Sequence, residues 1–235
     1  MKNLLTLALL WLLALAAPAL AQTPFEVRPV DTFSALEVSS GIELHLTAGP
    51  TPRVEVSADT PELQARIKTE VSGGVLRVSF EQTREEQRSR QKTARHLRVN
   101  VTAPPLTALR ASSGATIAVA GSYSPEKLEI DLSSGAVLTA DLTAPAVQAH
   151  LSSGGIATLT GQIQRLDVRA ASGGIFKGSG LQAATCQAEA SSGGIITVGV
   201  EKTLTAEASS GGGVRYTGSP QVTKRTSSGG HVSSR

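Results

Sequence analysis

Apolar and polar residues alternate along six short segments in the second half of the chain. The segments are LEIDLS, VQAHLS, LDVRAA, CQAEAS, LTAEAS and VTKRTS. Their first, third and fifth positions are apolar in every copy except the last, where Lys224 and Thr226 interrupt the pattern. Alternation with a period of two is typical of a strand that turns one face to a core and the other to solvent. The segments therefore predict equivalent strands that stack in register.

The fourth position of each segment is polar and is predicted to face solvent: Asp131, His150, Arg169, Glu189, Glu207 and Arg225. Neighbouring strands of a parallel sheet lie about 4.8 Å apart. We therefore expect Arg169 to reach Glu189, and Glu207 to reach Arg225. The first position of the fourth segment is the single cysteine, Cys186, which is predicted to be a small buried side chain rather than a reactive thiol.

Each segment leads into Ser-Ser-Gly-Gly or a close variant. The first glycine of this motif recurs at intervals of 18 to 21 residues: Gly114, Gly135, Gly154, Gly173, Gly193, Gly211 and Gly229. Self-similarity at such a period is typical of a solenoid. The prediction is an all-β chain in which residues 106–235 form a parallel β-helix with coils of about 19 residues.

The repeated serines are predicted to form a structural ladder at one corner of the coils: Ser134, Ser153, Ser172, Ser192 and Ser210. Glycine supplies the positive φ that a sharp corner requires, and we expect the hydroxyls to satisfy backbone groups of the turn. A catalytic serine is the alternative, but the chain contains neither a G-x-S-x-G elbow nor a phosphate-binding loop of the G-x-x-x-x-G-K-[ST] type.

A second strand is predicted after each corner, with this inward column: Ile117, Leu138, Ala157, Phe176, Ile196, Val214 and Val232. The opposite face of the same strands carries Val137 and then Ile156, Ile175 and Ile195. If exposed, this stripe is a candidate contact surface; the alternative is that it lies beneath a neighbouring loop.

Composition and the N-terminus place the chain in an exported class. Aromatic residues make up only 3% of the chain, which favours regularly stacked strands of small and β-branched residues. Residues 1–21 have a charged start, an apolar run and an Ala-Leu-Ala end, which is typical of a secretory signal peptide. We expect a mature chain from Gln22 in the periplasm, at the cell surface or secreted, without a membrane span; an uncleaved anchor helix is the alternative. The near-neutral charge of the mature chain gives no indication of a nucleic-acid partner.

Residues 22–105 are predicted to be a less regular, strand-rich portion of the same unit. Within it, TPELQARIKTEV fits either a short helix or a strand with a turn, and the charged run 83–96 is predicted to be an exposed loop. The loop holds the candidate contacts for an anionic polymer: Arg84, Arg88, Arg90, Lys92 and Arg95. A simple solvated loop is the favoured interpretation.

Three stretches of the chain resemble a known bacterial family. They are VSSGIELHLTAG at 38–49, IKTEVSGGVLRVSF, and LRVNVTAPPLTALRASSGATI. They are similar to the putative auto-transporter adhesin head domain called GIN, although the namesake Gly-Ile-Asn is Gly41-Ile42-Glu43 here. The resemblance implies a right-handed, single-stranded parallel β-helix on an exported protein without an established activity.

The function predicted from these features is a non-enzymatic, extracytoplasmic module that binds envelope glycan or protein through its flat faces. The four histidines are scattered, so no metal site is predicted, and no cofactor is expected. One alternative is a structural or regulatory envelope component that forms homo-oligomers through Ile156, Ile175 and Ile195. A less favoured alternative is a polysaccharide lyase or hydrolase, because acids and arginines share one strand face; catalytic residues are otherwise not predicted.

Overall fold

Parallel strands in this protein pair with the equivalent strands of the preceding and following turns. The computed structural model describes residues 23–88, without the side chain of Gln87, and residues 95–235. The predicted signal peptide, Arg90 and Lys92 lie outside these residues. The all-β parallel solenoid predicted from the sequence is confirmed, with about seven turns and a spacing of about 19 residues.

The strands and helices follow one another in this chain order: β1 (Glu26–Arg28), β2 (Ala35–Val38), β3 (Glu43–Ala48), β4 (Arg53–Ser57), α1 (Pro61–Ala65), β5 (Ile67–Ser72), β6 (Val75–Phe80), α2 (Arg84–Arg88), β7 (Arg98–Ala103), β8 (Ala108–Ala111), β9 (Thr116–Tyr123), β10 (Lys127–Leu132), β11 (Val137–Leu151), β12 (Ile156–Ala170), β13 (Ile175–Ala190), β14 (Ile195–Ala208), β15 (Gly213–Thr217), β16 (Gln221–Thr226) and β17 (His231–Ser234). The long strands β11 to β14 contain the second strand of one coil and the first strand of the next, because no turn separates them.

The predicted register is confirmed along the first strand of each coil. Leu128 pairs with Val147, and the same column continues through Leu166, Cys186, Leu204 and Val222. Side chains of the three inward columns are buried up to the last coil, where Lys224 and Thr226 are exposed. The predicted inward column of the second strand is also buried, with Phe176 fully enclosed; only its last member, Val232, is partly buried. Burial of apolar area in these stacked columns is the main stabilising contribution.

The Ser-Ser-Gly-Gly corner is a type I′ turn, in which both central residues have positive φ. In the coil at 152–155, Ser153 has φ 47° and Gly154 has φ 77°, and the Gly155 N–H donates to the Ser152 carbonyl at 2.8 Å. The left-handed conformation was expected of glycine but not of serine. The predicted role of the hydroxyls is wrong: within the described residues, none of the ladder serines uses its hydroxyl to bond a backbone group.

Backbone groups link successive corners instead. The N–H of Gly154 donates to the carbonyl of Ser172 in the next coil at 3.2 Å, and equivalent bonds join the other corners. The second glycine of the motif is required for a different reason. A Cβ on Gly155 would lie 2.5 Å from the carbonyl oxygen of Leu132 in the preceding coil. The motif therefore combines two left-handed residues with one close approach between coils.

The N-terminal portion belongs to the same 17-stranded sheet and closes one end of the solenoid. β2 and β3 form a coil that lies between the later coils β6–β7 and β8–β9, with which they pair on either side. β4 pairs antiparallel with β7, and β5 pairs antiparallel with β6. These two antiparallel strands cover the outermost coil at this end.

The segment between β7 and β8 crosses over the β2–β3 coil. The hydroxyl of the fully buried Tyr123 accepts a hydrogen bond from the Leu106 N–H at 2.5 Å, which fixes this crossing. Burial raises the pKa of the Tyr123 hydroxyl, so it remains protonated at neutral pH.

Two segments whose secondary structure the sequence pattern left open, or placed in a loop, each contain a short helix. TPELQARIKTEV contains both a helix and a strand: Thr60 caps α1 by accepting from the Leu63 N–H at 3.3 Å, and β5 follows at once. The run 83–96 was predicted to be a loop, but its first part is the short helix α2. Thr83 accepts from the Glu86 N–H while Glu86 accepts from the Thr83 N–H, a reciprocal capping box that the charged sequence conceals.

Candidate binding face

One outward face of the second strands carries a stripe of stacked aliphatic side chains. Val137, Ile156, Ile175 and Ile195 are paired in register through β11, β12, β13 and β14. The first three are half-buried, and Ile195 is 38% exposed. The three predicted stripe residues are thus brought together on one face. We call this column, with Val137, the aliphatic stripe.

A polar column runs alongside the aliphatic stripe, two residues further along each strand. It consists of Thr139, Thr158, Lys177, Thr197 and Arg215, which are aligned by the same register. Hydroxyl groups therefore lie beside aliphatic surface over several coils; Lys177 interrupts them once, and Arg215 ends the column. A flat face of this kind offers apolar contact and hydrogen bonds at the same time.

An open groove of about 460 Å³ lies beside the start of the stripe. It is lined by Ser122, Thr139, Asp141, Thr158 and Thr160 together with Val119, Gly121 and Ala140, and apolar atoms make up most of the exposed lining. The Thr160 hydroxyl donates to the Asp141 carboxylate at 2.7 Å, so the carboxylate is held in place and retains acceptor capacity toward the groove. We call this the hydroxyl groove. It was not predicted from the sequence.

The hydroxyl groove results from extra residues in one coil. β9 pairs Ala118 with Thr139 but Ser122 with Asp141, so two additional residues bulge out around Gly121, which has φ 71°. The interval from Gly114 to Gly135 is 21 residues, the longest in the repeat. This interval was the one sequence signal that could have located the groove.

The outward face of the first strands is a ladder of ion pairs. Arg169 lies 3.1 Å from Glu189, and Arg225 lies 3.4 Å from Glu207, which confirms the predicted pairs. The ladder also extends into the N-terminal coils, where Arg110 lies 3.2 Å from Asp131 and Arg77 lies 3.3 Å from Glu37. These exposed pairs fix register and solubility, and each contributes less than about 1 kcal/mol.

His150 stands between Asp131 and Arg169 in this ladder. The structure therefore brings together the residues of the lyase or hydrolase alternative, but their carboxylates accept hydrogen bonds from arginines. A glycosidase needs one carboxyl group that is kept protonated and a second at a defined separation. Each of these acids is instead held by an arginine side chain, which is an arrangement of charge compensation rather than of a spaced catalytic pair.

Among the described residues of the run 83–96, only some of the arginines predicted to contact an anionic polymer are exposed and outside the ion pairs that these residues form. Arg84 and Arg88 are exposed on α2, whereas Arg95 lies 2.9 Å from Glu86 and stacks over the Phe80 ring at 5.0 Å. Arg66 also stacks on Phe80, at 4.5 Å, and donates a hydrogen bond to Glu86. Arg66, Phe80, Glu86 and Arg95 thus form one cluster.

Charge-assisted bonds from Arg66, and then from the Thr83 N–H, lower the pKa of Glu86 to about 2. The cluster thus fixes α2 against the end of the solenoid that β4 and β5 cover, which we call the capped end. Of the five predicted anionic-polymer contacts, two are on this helix, one is bound in the cluster, and two lie outside the described residues.

Three further features of the described residues bear on function: metal ligands, membrane-spanning helices and the thiol of Cys186. Residues 23–88 and 95–235 contain no group of three or more side chains arranged to hold a metal ion. No helix there is long and apolar enough to cross a membrane. Cys186 is buried in its predicted column, and burial raises the pKa of its thiol to about 12.

Several solved structures share this architecture. A putative adhesin from Bacteroides fragilis superimposes with a TM-score of 0.76 at 17% identity, covering 90% of this chain and 95% of that one. A putative adhesin from Parabacteroides distasonis gives 0.71 at 19% identity, covering 92% and 97%. A putative lipid binding protein from the same species gives 0.62 at 15% identity, covering 90% and 96%. At such identities the similarity establishes the fold.

A comparison with curated proteins finds no match. A family model does match the chain, over residues 32–220, and it is described as putative auto-transporter adhesin, head GIN domain. The match extends from just before β2 to just before β16, so it includes the capped end, the groove and the aliphatic stripe. The chain therefore belongs to the GIN-domain family.

Proposed function

We propose that this protein is an exported, non-enzymatic adhesin-like module that captures cell-envelope glycan on the face formed by the aliphatic stripe and the hydroxyl groove. The observation that carries the proposal is the continuity of this face. Ile156 and Ile175 lie beside Thr158, and the same threonine lines the groove that contains Asp141.

The chemistry of the face suits a carbohydrate chain. A sugar presents C–H groups on the faces of its ring and hydroxyl groups around its edge. The aliphatic stripe can pack against the former, while threonine hydroxyls and the Asp141 carboxylate exchange hydrogen bonds with the latter. The openness of the groove at one end of a flat face fits a polymer that lies across several coils rather than an enclosed small molecule.

We propose a non-enzymatic role because of the ion-pair ladder. The acids that a lyase or hydrolase would use are paired with Arg110 and Arg169. The export of the protein rests on the signal-like residues 1–21 and on the adhesin family. Mass spectrometry of the protein recovered from a cell-envelope fraction should give a chain that starts at Gln22; recovery of intact Met1 in the cytoplasm would contradict export.

A binding assay with purified envelope glycan tests the proposed face. The protein lacking residues 1–21 is compared with the double variant Ile175→Ser and Ile195→Ser, and with Asp141→Asn. We expect both to weaken capture by at least about tenfold, or roughly 1.4 kcal/mol, with unchanged circular dichroism because these positions are not part of the buried core.

Two matched controls identify the responsible face. Gln187→Ser alters an outward residue on the ion-pair face and should leave capture unchanged. Replacement of residues 83–96 by a short linker should also leave capture unchanged; a loss of capture there would assign binding to the arginines of α2 instead. Capture that survives both face variants would refute the proposal.

Self-association through the aliphatic stripe is the second candidate, because Ile195 is among the few large apolar side chains exposed in the described residues. Sedimentation velocity over a range of concentrations distinguishes it. A stable dimer that the Ile175→Ser and Ile195→Ser variant abolishes would favour the structural, homo-oligomeric interpretation over glycan capture.

A further inference from the structure

The two ends of the solenoid differ in how their edges are covered. At one end, β4 and β5 of the same chain pair antiparallel with the outermost coil. At the other end, the outermost coil is β16 and β17, and within the described residues no strand pairs with their outer edges. The chain thus already uses strand addition at one end, and the same kind of edge is open at the other.

The open edge presents defined backbone groups. Ser227 N–H donates to the Ala208 carbonyl, at 3.0 Å, in the preceding coil. Because the direction of backbone groups alternates along a parallel strand, the N–H and C=O of Lys224 and Thr226 point outward. His231 N–H donates inward to Gly212 at 3.0 Å, so the groups of Val232 and Ser234 point outward in the same way.

Positive charge is in excess at this end of the solenoid, where Lys224, Arg225 and Arg235 belong to the outermost coil. Residues 208–235 contain four lysines or arginines and neither aspartate nor glutamate. The whole chain has 22 basic and 19 acidic residues, so the preceding 207 residues hold 18 and 19. Arg225 pairs with Glu207, but its side chain is still 80% exposed. Lys224 is exposed at the end of a core column that is apolar in the preceding coils.

We infer that the open edge of β16 and β17 accepts an extended, acidic strand of a partner protein. Backbone hydrogen bonds to Lys224 and Thr226 would extend the sheet by one strand, and acidic side chains on the outward face of that strand would meet Arg225. The same charges oppose a second copy of this chain, because two such edges would place lysines and arginines together. An acidic polysaccharide would satisfy the charges but not the row of backbone donors and acceptors.

Fluorescence anisotropy with a designed peptide tests this inference. The probe is a labelled, end-blocked peptide of about ten residues that alternates valine and glutamate, and the protein is the chain lacking residues 1–21. We expect saturable binding, and slower hydrogen exchange at Lys224 and Thr226 when the peptide is bound. A peptide that alternates valine and lysine should bind at least about tenfold more weakly.

Two protein variants separate charge from strand pairing. The double variant Lys224→Glu and Arg225→Glu should weaken binding by at least about tenfold. Thr226→Pro removes an outward N–H that no strand of the described residues uses, which an edge strand tolerates. It should also weaken binding while the charge is unchanged. Lys127→Glu, which alters an exposed cation on β10 away from this edge, should have no effect.

A chemically modified probe provides the decisive comparison. The valine–glutamate peptide with N-methyl groups on alternate amides keeps its charges but cannot pair along one edge, and it should lose binding. Equal binding of the methylated and unmethylated peptides, or insensitivity to Thr226→Pro, would show a purely electrostatic surface and overturn the inference. Concentration-dependent self-association that Thr226→Pro abolishes would overturn it as well, since the edge would then be occupied by a second copy.

Discussion

Ile195 and Ile196 are adjacent residues of one type that face opposite sides of β14. Ile196 is completely buried in the core column, whereas Ile195 is 38% exposed on the aliphatic stripe. Replacing each by alanine in separate variants removes the same atoms from the same strand. Differences in strand propensity therefore cancel, and the comparison isolates burial.

The expected magnitudes follow from burial and cavity formation. Three carbon groups lost from Ile196 at about 0.8 kcal/mol each amount to about 2.4 kcal/mol of transfer free energy. An unfilled cavity of roughly 60 Å³ adds about 1.5 kcal/mol, so Ile196→Ala should lower the free energy of unfolding by about 4 kcal/mol. Ile195→Ala loses roughly three fifths of the transfer term and leaves no cavity, which gives about 1.5 kcal/mol.

Urea unfolding followed by far-ultraviolet circular dichroism measures both variants. The slopes of the transitions must agree with that of the parent protein, since a solenoid can unfold in parts. If the two variants differ by less than about 0.5 kcal/mol, the assignment of inward and outward columns on β14 is wrong. The same result would remove the basis for treating Ile195 as part of a binding face.

Further predictions concern the corner, the capped end and the cysteine. Gly155→Ala should destabilise the protein by about 1–3 kcal/mol, measured by urea unfolding, because its Cβ would lie 2.5 Å from the Leu132 carbonyl oxygen. The pKa of Glu86 is lowered from 4.5 to about 2, so its contribution is complete above pH 4.5 and disappears as the pH falls through 2. Between these values, unfolding series should show the parent losing stability more steeply than Glu86→Gln, and parallel curves would contradict the Arg66 pairing. Cys186, with a thiol pKa raised to about 12, should resist alkylation at pH 8 in the native state; rapid labelling of the folded protein would show that the column is open.

The regular coils could be predicted because the direction of each side chain follows from its position in a short repeated pattern. Each of Leu166, Cys186 and Leu204 is placed inward by a period of two, and the Ser-Ser-Gly marker fixes which strand stacks on which. Arg169 and Glu189 follow from the same register without further information. The family resemblance agrees with this result but is not needed for it.

The capped end could not be predicted in the same way, because its contacts join residues distant in sequence. Arg66 and Arg95 both stack on Phe80, and nothing local in the sequence indicates that these three residues meet. The hydroxyl groove has a similar cause, since Asp141 acquires its neighbours only where an extra pair of residues bulges from the coil before it. The use of serine at φ 47° in Ser153 was missed because only glycine adopts that conformation without strain.

The position of the β2–β3 coil has a consequence for the order in which the protein assembles. This coil comes first among the solenoid coils in the chain, yet it is enclosed between two coils made later, and Tyr123 of β9 secures the segment that crosses it. We therefore expect the coils up to β9 to assemble as one unit of high contact order before the regular coils add to it. From β10 onward each coil pairs with the coil that precedes it in the chain, so the remaining coils can add one at a time.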